Sequence, residues 1–192
     1  MIVLLCGLSG AGKTTLAKNI YCKLSDLKIP AEIVDGDEYR AMLFKDLKFS
    51  KEDRFENVRR LGFIANKFSQ HGIVTIVSAI NPYDEIRREI ASTYDNVKVI
   101  HIDCPVEKLA VRDTKGLYKR SMLPDGHPDK IHNLTGVNDQ FDVPANPDLY
   151  INTDMYTVEE SANVMLDFVL HNISHNGRVK RPQLNLVEIL HR

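Results

Sequence analysis

The stretch Gly7-Leu-Ser-Gly-Ala-Gly12-Lys13-Thr14 follows directly on the apolar run Ile2-Val-Leu-Leu-Cys6. Its spacing, Gly-x4-Gly-Lys-Thr, is that of a phosphate-binding loop set between a strand and a helix. Glycines let the backbone wrap closely around a phosphate, and a helix opening at Lys13 points unpaired N–H groups at it. Lys13 is placed to bridge β- and γ-phosphates, and Thr14 to offer a hydroxyl to Mg²⁺. The bland alternative is a glycine-rich strand–helix turn with no ligand.

The rest of the chain keeps the same alternation. Ile2–Cys6, Ala31–Val34, Val74–Val77, Val97–Ile102 and Leu149–Ile151 read as strands, apolar enough to be covered on both faces. A helix is expected from about Lys13 to Leu27. Another starts after Ser50, which with Asp53 resembles a capping box, and stops at Gly72. A third starts at Thr157, with Glu160 three residues on. Alternating strands and helices predict an α/β, three-layer P-loop nucleoside-triphosphate hydrolase or kinase fold, its mostly parallel sheet flanked by helices. Residues 115 to 147 hold four of the eight prolines and read as one long functional or mobile loop.

A chain of 192 residues is expected to be one domain. Lys and Arg number 25 against 26 Asp and Glu, so the net charge is −1. That balance argues against a general nucleic-acid or membrane-surface binder and leaves room for a local basic cleft. Three scattered cysteines make no disulfide framework and no zinc spacing, which points to a reducing cytoplasm. No apolar run approaches the ~18 residues of a membrane span. The apolar start lacks the basic region of a signal peptide and reads as a buried strand.

Asp35-Gly36-Asp37 ends the second strand, and ligands sit at the carboxyl ends of strands in such sheets. Asp37 could orient or deprotonate an attacking hydroxyl, or hold a Mg²⁺ water. Read alone, the triplet has a lesser alternative, an Asp-Gly turn with a helix cap. Arg40 can turn back toward an anion. Arg54 and Asn57, three apart, share a helix face and can hold an oxyanion and a base or ribose edge. A solvated charged helix is the alternative there.

With these residues in hand, the sequence resembles adenylyl-sulfate kinase. That family carries the loop as Gly-Leu-Ser-Gly-Ala-Gly-Lys-Thr-Thr, then Asp-Gly-Asp-x-x-Arg, then Phe-Ser-x-x-Asp-Arg-x-Glu-Asn-x-Arg-Arg. All three stand here, starting at Gly7, Asp35 and Phe49. The likeness runs on through Ser78-Ala79-Ile80-Asn81-Pro82-Tyr83, Arg112 to Lys119, and Thr135-Gly136 to Pro147. It implies transfer of the ATP γ-phosphoryl group to the ribose 3′-hydroxyl of adenylyl sulfate, giving PAPS. Gly7, Ser9, Gly10, Ala11, Gly12, Lys13, Thr14, Thr15 and Arg112 would bind ATP, and Thr14 with Asp35 would hold Mg²⁺. Asp37, Arg40, Phe49, Arg54, Asn57, Ile80, Asn81, Lys115 and Leu134 would surround the acceptor. Phe49 would stack on its base, while Arg40 and Arg54 would hold the phosphosulfate. Lys13, Asp37 and Lys115 are the catalytic candidates. Residues 115–138 would form a mobile lid, with Lys119 and Arg120 adding positive charge.

Three departures stand out. Asn81 replaces a serine recorded as a phosphoenzyme site in some members, so direct in-line transfer is expected. The stretch from Ser121 to Asn133 is longer than the family's, and Leu134 replaces a second stacking phenylalanine. A related kinase acting on another nucleotide-linked acceptor, such as a cytidine diphosphate derivative, is the alternative reading. A non-catalytic nucleotide-binding module is a third. The kinase unit is expected over residues 1–173, with a basic tail over 174–192. A homodimer is available by analogy with the family.

Overall fold

The computed structural model describes residues 1–175; of the tail expected over 174–192, the first two residues belong to the last helix and the rest lies outside the described residues. Five parallel strands form one sheet in the order β2-β3-β1-β4-β5. They are β1 (Ile2–Cys6), β2 (Ala31–Asp35), β3 (Val74–Ser78), β4 (Val97–Asp103) and β5 (Leu149–Asn152). The helices are α1 (Lys13–Asp26), α2 (Gly36–Met42), α3 (Lys51–Gln70), α4 (Asp84–Thr93), α5 (Val106–Arg112), α6 (Leu117–Ser121) and α7 (Val158–His175). All five expected strands and the three expected helices are present. No described helix is long and apolar enough to cross a membrane.

The central strand explains the layers. Side chains alternate across a strand, so β1 sends Val3 and Leu5 to one face and Ile2 and Leu4 to the other. Val3 and Leu5 meet Leu16, Ile20 and Leu24 of α1 and Met165 and Val169 of α7. Ile2 and Leu4 meet Val58, Leu61 and Ala65 of α3 and Ile86 and Ile90 of α4. Both faces of β1 are therefore dry, which is why its sequence is continuously apolar.

Caps set the helix starts. The Ser50 hydroxyl accepts from the Asp53 amide at 3.1 Å, as expected. The return bond is redirected: the short Asp53 carboxylate accepts from the Lys48 amide at 2.9 Å. At α7 the box is complete, with Thr157 and Glu160 bonding each other's amides at 3.2 and 2.8 Å. The Asp35-Gly36-Asp37 triplet proves to be a helix start, because Asp35 Oδ1 accepts from the amides of Asp37 and Glu38 and opens α2. The long loop read from 115 to 147 contains α6, so its first turn is ordered secondary structure.

α1 differs from these. Gly12 stands at its N-cap with φ 98°, no side chain caps it, and no acid lies in its first turn. Its N-terminal amides and their partial positive charge are left for an anion. At Gly7 an added Cβ would collide with the carbonyl oxygen of Ile102, so this loop passes too close to β4 for any side chain.

Candidate active site

The site lies at the carboxyl edge of the sheet, where β1, β2 and β3 end together. β1 and β3 are neighbours, and the connections leaving them run over opposite faces, α1 on one and α4 on the other, which opens a crevice at the switch point.

On the phosphate-loop side, the Lys13 ammonium is buried and donates to the carbonyls of Gly7 and Leu8 at 2.8 and 2.7 Å. Burial pushes it down to about 8, with Cys6 and Asp37 acting the other way. The Thr14 hydroxyl donates to Asp35 Oδ2 at 3.0 Å and lies 3.2 Å from the Ser78 hydroxyl. This is an all-oxygen donor set of one carboxylate and two hydroxyls. It fits Mg²⁺, which keeps several waters and takes few protein ligands. Ser78 stands within a quoted stretch but was given no role from the sequence. The usable signal was positional: Ser78 ends β3 directly beside Asp35 in the strand register.

Other segments brace the loop. The Gly7 amide donates to the Ile80 carbonyl at 3.1 Å. The Thr153 hydroxyl donates to the Ala11 carbonyl at 2.9 Å, and Arg112 donates to the Thr153 carbonyl at 3.2 Å. Arg112 thus lies beside the loop that follows β5, with Asp154 at 3.7 Å. The buried Tyr118 hydroxyl of α6 donates to the Ser9 carbonyl at 2.8 Å, and burial pushes its phenol up to about 12. Tyr118 stands within a quoted motif, yet nothing in the sequence showed that it reaches the phosphate loop. Tyr118→Phe is expected to cost about 0.5–1.5 kcal/mol of stability. It should also raise the KM for ATP a few-fold, read by melting curves and steady-state kinetics. An unchanged KM would contradict the bracing role.

On the facing side, Lys115 and Asp37 form an exposed ion pair at 2.5 Å. Arg40 donates to the carbonyls of Leu47 and Lys48 at 3.3 and 2.8 Å. The Phe49 ring is 54% exposed, with Arg40 at 5.0 Å and Arg54 at 5.8 Å from its centre. Arg54 is buried and fully engaged. It donates to the carbonyls of Phe49 and Asn133 at 3.1 and 2.8 Å and to the Thr135 hydroxyl at 2.8 Å. It also pairs with Asp139 at 2.8 Å. The 133–139 segment is thereby strapped to α3. Leu134, in that strap, is 5% exposed and packs into the α1/α7 core, so its side chain is not an open face. Asn57 and Asn81 are buried, and each has an amide oxygen with no partner.

The structure therefore gathers Lys13, Thr14, Asp35 and Asp37 with Lys115 at one edge, and Arg40, Phe49 and Arg54 in a second group. Against known proteins, residues 1–152 match the family model described as adenylylsulphate kinase. The adenylyl-sulfate kinase of Gloeothece citriformis is 39% identical over 176 residues, covering 92% of this chain and 95% of that protein. That of Microcystis aeruginosa is 43% identical over 159 residues, covering 83% and 85%. The Mycobacterium tuberculosis APS kinase solved with AMPPNP and APS superposes with a TM-score of 0.79 at 34% identity, covering 88% of this chain and 96% of that one. On its loop, its sheet and these matches together, the chain belongs to the adenylylsulphate kinase family.

Proposed function

We propose that this chain transfers the γ-phosphoryl group of ATP to the ribose 3′-hydroxyl of adenylyl sulfate, releasing ADP and PAPS. The observation that carries the reading is the facing pair of charge arrangements at one sheet edge. The phosphate loop holds Lys13 and Thr14, and the Asp37–Lys115 pair stands across from it. Such a pair serves a hydroxyl that must lose a proton while a phosphoryl group arrives.

The uncapped start of α1 and Lys13 take the ATP phosphates. Thr14, Asp35 and Ser78 would hold Mg²⁺, which when bound would neutralise phosphate charge. Asp37 accepts the 3′-hydroxyl proton. The oxygen then bonds to the γ-phosphorus as the bond to the β,γ-bridging oxygen breaks, and the electron pair leaves with ADP. Lys115, freed from Asp37, stands beside the transferring group. No covalent enzyme intermediate is needed, because Asn81 has no hydroxyl to phosphorylate.

Phe49 offers the open aromatic face for the acceptor base, and Arg40 lies beside it. Arg54 reaches the phosphosulfate only by giving up Asp139. Residues 1–173 act as the kinase unit and 115–138 as its lid, closing over both nucleotides and excluding water. The unit works in the cytoplasm, where its three free thiols stay reduced. A homodimer is the assembly we carry over by analogy.

The burial of Leu134 favours one alternative, an acceptor with a different base, since Phe49 is exposed to stack while Leu134 offers no open face opposite it. An acceptor panel with ATP and Mg²⁺ decides the point. Adenylyl sulfate is set against cytidine and uridine diphosphate derivatives, with products identified by mass. Phosphorylation of adenylyl sulfate is the expected outcome, and its absence overturns the reading.

A further inference from the structure

Arg87 on α4 is 1% exposed, so its guanidinium is buried. A buried charge is costly unless it is well paired. Its nearest carboxylate, Asp84, is 3.3 Å away and is shared with Arg88 at 2.9 Å. Arg87 donates to that carboxylate only at this length, and its two shorter bonds go to backbone carbonyls. It donates to Asn81 at 2.7 Å and to Asp142 at 2.6 Å, with the Phe141 ring 5.9 Å from the guanidinium carbon. Its Nε has no partner. This is a poor arrangement for neutralising charge and a good one for holding two chain segments at a set distance.

Both segments bear on the site. Asn81 has φ 47°, in the left-handed region that an L-residue enters only when its surroundings hold it there. Its amide donates to the Leu5 carbonyl at the end of β1. The preceding carbonyl, Ile80, takes the Gly7 amide of the phosphate loop. Asp142 closes the other side: its amide donates to the Pro82 carbonyl at 2.8 Å, and its carboxylate accepts from the Asp84 amide at 3.0 Å. It lies three residues beyond Asp139, where Arg54 grips the strap. Two buried arginines thus pin the two ends of the 133–142 segment, and Arg87 alone also grips the strained peptide of Asn81.

We propose that Arg87 is a positioning residue for the acceptor subsite, fixing Asn81 and the 140–142 segment relative to the phosphate loop. This rests on the reading that Asn81 borders the acceptor. The bonds to Leu5 and Gly7 lie on the ATP side and do not pass through Arg87. Its loss therefore displaces the acceptor side first.

Arg87→Met and Arg87→Lys test this. Met fills the slot without donors. Lys keeps the charge but not the fork that spans two carbonyls. In Arg87→Met the KM for adenylyl sulfate is expected to rise about tenfold or more, with the KM for ATP within about twofold. Arg87→Lys should fall between Met and wild type. If Arg87→Met does not fold, the same split in Arg87→Lys carries the test. Equal rises in both KM values, or no rise for adenylyl sulfate in a folded variant, overturn the proposal. Amide exchange at Asp84 and Asp142 gives a readout that needs no acceptor. It should speed up in the variants more than exchange in β1, and uniform or unchanged exchange counts against the role. A wild-type chain inactive on adenylyl sulfate would refute the acceptor assignment and leave the exchange result to judge Arg87.

Discussion

Lys13→Met is expected to lower kcat by about two to three orders of magnitude, the loss seen when one preorganised charge-stabilising donor is removed. Lys13 is the buried cation of the phosphate loop, resting on the Gly7 and Leu8 carbonyls. Those carbonyls hold it at the mouth of the loop, and desolvation leaves the ammonium poorly compensated there. Incoming phosphate oxygens are better partners, and they become better still as charge builds on the transferring group. Methionine matches the stem of lysine and removes a buried charge, so the fold should survive, with a melting temperature equal to or above that of wild type. Steady-state kinetics and melting curves on the same preparation check both halves. A kcat within about tenfold of wild type in a folded variant would remove Lys13 from the chemistry.

Asp37→Asn should act on the other reactant. The expected loss in kcat is about two to four orders of magnitude, the range for a general base held in place. ATP affinity should stay within about twofold, since Asp37 has no bond to the phosphate loop other than through charge. Asparagine preserves the shape but accepts no proton, and it releases Lys115 from its ion pair at 2.5 Å. ATP binding is measured separately by equilibrium titration. If turnover and ATP affinity fall together, Asp37 belongs to ATP binding, and another group must take the hydroxyl proton.

Much of the fold was legible because its signals are local. Short, mostly apolar runs marked each strand, and the glycine pattern marked the phosphate loop. Ser50 and the Thr157–Glu160 box marked helix starts. Some residues serve two partners at once. Asp35 read either as a strand-end carboxylate or as a helix cap, and it is both: one oxygen caps α2 and the other takes the Thr14 hydroxyl. Asp53 resembled half of a capping box, whereas its carboxylate turned to Lys48.

The candidate site divides along the same line. Lys13 and Thr14 were legible as candidates for phosphate and metal because their geometry is set within one turn of backbone. Ser78, Tyr118 and Arg87 were not, since their roles depend on partners far away in the chain. Tyr118 reaches Ser9 across 109 residues, and Arg54 reaches Thr135 across 81.

By itself the sequence determined the phosphate loop, the strand–helix alternation and the family resemblance. Glycine freedom, capping hydroxyls and apolar periodicity each act over a few residues. Only the tertiary structure decided how the cations are used. A guanidinium carries no mark of its destination, and whether it meets a ligand or a backbone carbonyl follows from which segments the core brings alongside. Arg40 and Arg54 read alike as acceptor residues. Packing left Arg40 on an open ring, sank Arg54 into the strap, and buried Arg87 beneath the peptide it holds.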